Sequence, residues 1–155
     1  MNYTKKKEGP IKVIGIDQRI ENTETASQEI GQMWERFLDE KLSDKIPNQA
    51  ADDTIYAIYT DYAPGGQAYT TILGLPVSSF EDVPPKMVSI EIPEQTYAVY
   101  ELKGKFPQSV IEFWDKIWQE PMGYIPAKSA DFEKYVLKAE GQDPEVSVHI
   151  AMMQE

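Results

Sequence analysis

Two stretches of this chain carry apolar residues at helical spacing, and each is bracketed by short β-branched and aromatic segments of strand length. In the first stretch Ile30, Met33, Trp34, Phe37, Leu38 and Leu42 form one stripe, with Ser27 placed to cap it and Pro47-Asn48 placed to end it. In the second, Val110, Phe113, Trp114, Ile117 and Trp118 form the stripe, Pro107 suits its first turn and Pro121 ends it. The spacing predicts helices over about 27–44 and 107–119. A helix with one apolar stripe must lay it on another element, and here the other elements are strands.

Those strands are read from alternation and turn signals. Residues 11–20 are β-branched, and residues 54–62 and 67–77 flank the turn Ala63-Pro64-Gly65-Gly66 as a hairpin. After a linker over 78–85, strands follow at 86–92 and 96–102, then at 131–139 and 146–153 on either side of a turn over 140–144. The order is strand, helix, hairpin, given twice. Residues 33–40 can be laid over 113–120 so that Trp34 meets Trp114. The expected fold is α+β: a tandem βαββ repeat with pseudo-twofold symmetry, antiparallel sheets and two long helices around a central groove. Repeat one covers about 10–77 and repeat two about 86–155, within one domain over residues 1–155.

Composition narrows the function classes. Asp and Glu number 26 against 15 Lys and Arg, a net charge of -11, which is the wrong sign for direct contact with nucleic acid or an anionic membrane. No cysteine is present, which excludes disulfides, zinc thiolates and thiol nucleophiles and fits a reducing cytoplasm. The N-terminal segment has a basic patch but no signal-type apolar run, and no stretch of about 18 apolar residues could span a bilayer. No phosphate loop, nucleophile elbow or metal-ligand spacing appears, so no cofactor and no metal is expected. Asp52-Asp53 reads as a solvated loop pair, and His149, alternating away from Val146, Val148, Ile150 and Met152, as a surface histidine.

The anomaly is Glu133. In the strand DFEKYVLKA, alternation puts Glu133, Tyr135 and Leu137 on one face, and Phe132, Lys134, Val136 and Lys138 on a wetter one. A carboxylate on an apolar face needs a partner or a function. Pattern alone leaves both readings open: an edge glutamate bonded to a tyrosine, or a charge that receives a ligand. Trp34, Tyr56, Tyr59, Tyr69, Tyr97, Tyr100, Trp114 and Trp118 are candidate aromatics around it. Aromatic faces attract organic cations, although packing against a sheet explains Trp114 and Trp118 equally well.

The segments KVIGI, IYAIYTDY, QTYAVYELKG, SVIEFWDKIWQE and, above all, ADFEKYV resemble the GyrI-like effector-binding family, related to the ligand-binding domains of AraC-type and MerR-type multidrug regulators. The resemblance covers nearly the whole chain. It implies a groove for hydrophobic, often cationic small molecules, with Glu133 at its base and Tyr135, Phe113, Trp114 and Trp118 as candidate lining; Trp34, Tyr56 and Tyr97 join them as ligand-binding candidates from the aromatics named above. It implies a sensor, sequestering or regulator-related module, and leaves room for a protein partner or a homodimer. Two alternatives accompany it: a hydrolase of cyclopropane-type toxic electrophiles with Glu133 as catalytic group, and a protein inhibitor of a larger enzyme such as a gyrase. No helix-turn-helix segment adjoins the resemblance.

Overall fold

The computed structural model describes residues 1–51 and 53–153. It contains eight strands, β1 (Thr4–Glu8), β2 (Ile11–Glu21), β3 (Thr54–Thr60), β4 (Ala68–Pro76), β5 (Val88–Ile92), β6 (Gln95–Glu101), β7 (Ala130–Val136) and β8 (Glu145–Ala151). Two helices, α1 (Ala26–Asp39) and α2 (Gln108–Ile117), complete it. The strands form one sheet in the order β1-β6-β8-β7-β3-β4-β2-β5. Every pairing in it is antiparallel, as the hairpin signals require. No helix among the described residues is long and apolar enough to cross a membrane.

The expected duplication is present. The trio β2-β4-β3 with α1 and the trio β6-β8-β7 with α2 meet where β3 pairs with β7, and the central pair of that seam is Ala57↔Glu133. Each helix lays its stripe on its own trio. Met33 and Phe37 of α1 join Ile14, Ile16, Leu73 and Leu75; Phe113 and Ile117 of α2 join Ala98, Tyr100, Val148 and Ile150. A ten-residue helix such as α2 is marginal alone. Burial of Phe113 and Ile117, at about 1.5–3 kcal/mol each, holds it.

The sequence reading gave every strand but one, and it did not show that two strands change halves. The N-terminal residues read as a mere basic patch form β1, which pairs with β6 of the other half, while β5 leaves its own half to pair with β2. The two connections cross in contact: a Cβ on Gly9, whose φ is 104°, would stand 2.9 Å from the Pro93 carbonyl oxygen. The five residues TKKKE have no apolar pattern to announce a strand; β6 supplies the backbone partners that make them one.

Other corrections follow from packing. Helix α1 stops at Asp39, because Lys41 turns left-handed at φ 49° and Leu42 starts a separate 3₁₀ turn, Leu42–Lys45. Thr25, not Ser27, precedes the helix, and its side chain makes no capping bond. Leu38 and Trp118, expected within the packed stripes, are 55% and 57% exposed. Strand β7 ends at Val136, so Leu137 lies beyond it and is exposed.

The face of β7 read as wetter is also a core. Phe132 packs there with Tyr56, Tyr97, Val99, Val13 and Ile92. No helix contributes to this cluster, so the sheet buries it by curling on itself into a half-barrel. His149 stacks on Phe132 inside that curl, with ring centroids 4.3 Å apart, and is 4% exposed rather than a surface residue. Its Nδ1 lies 2.6 Å from Glu8 Oε1, which fastens the end of β1. Of the pair Asp52-Asp53, Asp53 is exposed and Asp52 lies outside the described residues.

The close approach of β2 to β4 depends on paired glycines. A Cβ on Gly15 would stand 2.1 Å from the Leu73 carbonyl oxygen, and one on Gly74 2.3 Å from that of Ile14. Backbone cannot yield as a side-chain end can. Gly15→Ala is therefore expected to destabilise the protein by about 3 kcal/mol in urea unfolding. Gly31→Ala, on the exposed face of α1 with nothing within 4 Å, should stabilise it by about 0.5–1 kcal/mol. Equal effects at the two sites would contradict the tight β2–β4 approach.

Candidate functional site

Glu133 is the centre of the candidate site. It stands midway along the seam strand β7, is 1% exposed, and receives three donors. Tyr59 Oη and Trp114 Nε1 donate to Oε2 at 2.9 and 2.6 Å, and Tyr135 Oη donates to Oε1 at 2.5 Å. The donors come from three elements: β3, α2 and β7 itself. Register explains the tyrosines. Ala57 faces Glu133 across the seam without filling the space, and Tyr59 and Tyr135 lie two residues on along their strands, on the same face.

The aromatic frame follows the duplication. Trp114 meets Tyr59 edge-on at 5.8 Å, and Trp34 meets Tyr135 edge-on at 4.7 Å. These are the same contact made twice, each between the helix of one half and the seam strand of the other. The two sides then diverge. Next to Tyr135 the space is filled by Phe106, 5.7 Å away, with Leu102 and Val110 packed nearby. Next to Tyr59 it opens as a groove of about 480 Å³. Tyr59, Tyr62, Tyr69, Trp114, Trp118 and Asp131 line it, and the first turns of α1 form the facing wall. Trp118 stacks along Trp114 at 6.2 Å, which extends an aromatic wall from the buried carboxylate to the surface.

Burial pushes the Glu133 carboxyl above its ordinary range; the bonds from Tyr135, Trp114 and Tyr59 pull it back without cancelling that rise. Burial and the adjacent carboxylate push the hydroxyls of Tyr59 and Tyr135 well up, so both remain protonated donors. The carboxylate thus has hydrogen-bond partners but, among the described residues, no cation within salt-bridge distance. The arrangement can hold a negative charge behind an aromatic wall and offer it to a positive group that enters.

Of the residues expected at the site, Glu133, Tyr135, Trp114 and Trp34 come together, as does Tyr59; Trp118 and Tyr69 line the groove. Phe113 turns the other way, against Tyr100 in the α2 core. Tyr56 and Tyr97 lie on the opposite face of the sheet with Phe132, away from the groove, and are corrected as site candidates. Their strands were read properly, but face parity between strands needs register. Asp131 and Tyr62 were missed. Asp131 shares the alternation of Glu133, and the hydroxyl of Tyr62 donates to its Oδ2 at 2.7 Å. The signal was present in DFE, two acids at strand spacing.

A second cluster has the connectivity of a catalytic triad. Ser147 Oγ lies 2.8 Å from His149 Nε2, and His149 Nδ1 meets Glu8. Acyl transfer needs amide donors aimed at an oxyanion. Ser147 and His149 sit mid-sheet in β8, between β6 and β7, where the ladders engage the backbone on both sides. The cluster fastens β1. Among the described residues no group of His, Cys, Asp and Glu is arranged to hold a metal ion.

Comparison with known proteins gives the family and the fold. Residues 6–152 match the Cass2 family, described as integron-associated effector binding protein. YobU of Bacillus subtilis, whose name marks it as a candidate transcriptional regulator, is 24% identical over 143 residues, 89% of each chain. The transcriptional regulator BrlR of Pseudomonas aeruginosa is 31% identical over 125 residues, and the match spans 78% of this chain but only 44% of BrlR. Among solved structures, SAV2435 bound to tetraphenylphosphonium has a TM-score of 0.79 at 17% identity, over 99% of this chain and 94% of that one. An integron cassette protein from the mobile metagenome of Vibrio cholerae has a TM-score of 0.76 at 21% identity, over 98% and 96%. EcmrR in a DNA complex scores 0.64 at 13% identity, and this chain spans 58% of it.

The raised carboxyl of Glu133 gives a signed pH dependence. A folded-state value above the unfolded one favours folding fully below the unfolded value, and that advantage is lost as pH rises through the folded one. Gln at 133 keeps an acceptor for Trp114 and Tyr59 and has no proton to lose. Urea unfolding of wild type and Glu133→Gln from pH 4 upward should show wild type losing stability relative to the variant until the carboxyl is fully ionised. A pH-independent difference would contradict the buried, raised carboxyl.

Proposed function

The chain belongs to the Cass2 family of integron-associated effector-binding proteins, and we propose that its groove captures hydrophobic organic cations with Glu133 as counter-charge. As an effector-binding domain of the GyrI-like fold it is built to take a small molecule. The observation that carries the cation reading is the carboxylate at the seam: 1% exposed, and held by three neutral donors of which two, Tyr59 and Trp114, line the aromatic groove. Burying a charge without an opposite charge is costly, and an entering cation offsets that cost. Trp114, Trp118 and Tyr69 supply faces on which an aromatic body can stack. That SAV2435 takes tetraphenylphosphonium supports the choice of ligand class.

Entry has a structural requirement. Tyr59 and Trp114 stand between the open groove and Glu133, since both line the one and donate to the other. The ligand's positive centre reaches the carboxylate by displacing these donors. It trades two neutral hydrogen bonds for one charge contact in a place poorly reached by water, where that contact is strong. The module then acts as a sensor or a sequestering protein, with the occupied groove as its signal.

The hydrolase alternative rests on the same carboxyl, whose raised affinity for a proton suits general acid work. It demands turnover, and one variant separates the two. Methyltriphenylphosphonium is expected to bind wild type in the micromolar range, roughly -8 kcal/mol, with a change in Trp emission. Glu133→Gln should weaken it by about 1–3 kcal/mol, while triphenylphosphine oxide, a neutral body of similar shape, should bind weakly to both. Equal binding of the charged and neutral bodies would sink the counter-charge role. Turnover of a cyclopropane-bearing electrophile, lost at least about 100-fold in the same variant, would establish the hydrolase instead.

A further inference from the structure

Glu133 is not the acid that the open groove presents. That acid is Asp131, 3% exposed and part of the groove lining, while Glu133 lies behind Tyr59 and Trp114. The Asp131 carboxyl is held in place rather than neutralised. Tyr62 donates to Oδ2 at 2.7 Å, the Ala151 backbone N–H donates to Oδ1 at 2.8 Å, and no cation lies within 4.0 Å among the described residues. Lys128, exposed and part of the groove lining, is a positive charge that acts on it. A buried hydroxyl lies close by on β4. Thr71, paired with Tyr59 across β3 and β4 and on the same face, is 1% exposed, and its hydroxyl has no hydrogen-bond partner among the described residues.

Two buried carboxylates therefore lie along one aromatic wall, two residues apart on a single strand face. We propose that the groove is a two-point cation site, with Asp131 as an outer and Glu133 as an inner anchor, and that it prefers flat aromatic dications whose positive centres are about 7 Å apart, the two-residue rise of a strand. The reading rests on the cation function proposed above and adds the second charge to it. Both anchors belong to the second half of the chain. The first half, at the positions facing them in register, has Tyr59 opposite Asp131 and Ala57 opposite Glu133, so neither acid meets a competing side-chain charge across the seam.

The test uses two probes of one shape. N-methyl-4-phenylpyridinium carries one charge, and N,N′-dimethyl-4,4′-bipyridinium carries two, on nitrogens about 7 Å apart, matching the strand spacing. Their dissociation constants are measured by calorimetry on wild type, Asp131→Asn, Lys128→Met and Glu133→Gln. Wild type is expected to bind the dication at least about tenfold more tightly than the monocation. Asp131→Asn should bring that ratio close to one by weakening the dication more than the monocation. Lys128→Met, an exposed position at which folding is safe, should raise the ratio about twofold or more by removing the competing charge. A wild-type ratio near one, a ratio that survives Asp131→Asn, or one that fails to rise in Lys128→Met overturns the two-point site. Monocation binding that responds to Glu133→Gln without a dication preference overturns this inference alone; no binding of either probe overturns the cation function with it.

Discussion

The structure is organised around a carboxylate placed where two equivalent halves meet. An antiparallel seam between β3 and β7 has a central residue pair, and that pair is Ala57 and Glu133. A side chain there looks toward both helices and toward both seam tyrosines. A single acid can thus be reached by donors that the duplication supplies in pairs: Tyr59 with Tyr135, and Trp114 with its counterpart Trp34. Three of the four bond to it. Trp34 packs on Tyr135 and holds it in place. An apolar residue at 133 would leave three donors without their acceptor, and for the buried Tyr135 that loss costs on the order of 1–3 kcal/mol.

The groove comes from where the duplication is broken. Glu133 faces Ala57, and Phe106 plugs the space beside Tyr135 while the space beside Tyr59 stays open. The result is an open groove beside Tyr59 and a filled space beside Tyr135. A symmetric pair of acids at the seam would repel each other at close range and force one to hold a proton. Single occupancy keeps the charge available and gives the groove one polarity: closed aromatic base, open aromatic rim.

Much of this could be read from the chain before any coordinates. The alternation in DFEKYV isolates Glu133 and Tyr135 on one face, and the two Trp-bearing stripes announce the helices. The misreadings have a common origin, since strand alternation states which residues share a face but not what covers that face. Phe132 and Lys134 looked solvated because lysines usually are; the sheet's curl covers Phe132 while Lys134 remains only partly buried. His149 was misjudged for the same reason, with the added concealment of β1, whose residues carry no apolar signal. Tyr56 and Tyr97 needed the registers Tyr56↔Lys134 and Tyr97↔Ala151, which depend on pairings between distant segments.

The exchange of β1 and β5 between the halves has a consequence for how such a chain can exist. A half-length polypeptide of this design would possess a first strand with no seat in its own sheet and an edge with no cover. Both defects vanish when it meets a copy of itself, because each copy's stray strand caps the other's edge. The present chain is therefore the arrangement of a strand-swapped homodimer written into one polypeptide, in which tethering replaces an encounter between molecules with a high local concentration. Fusion also lets the two copies differ, and only a fused pair can carry a glutamate at its axis on one side alone.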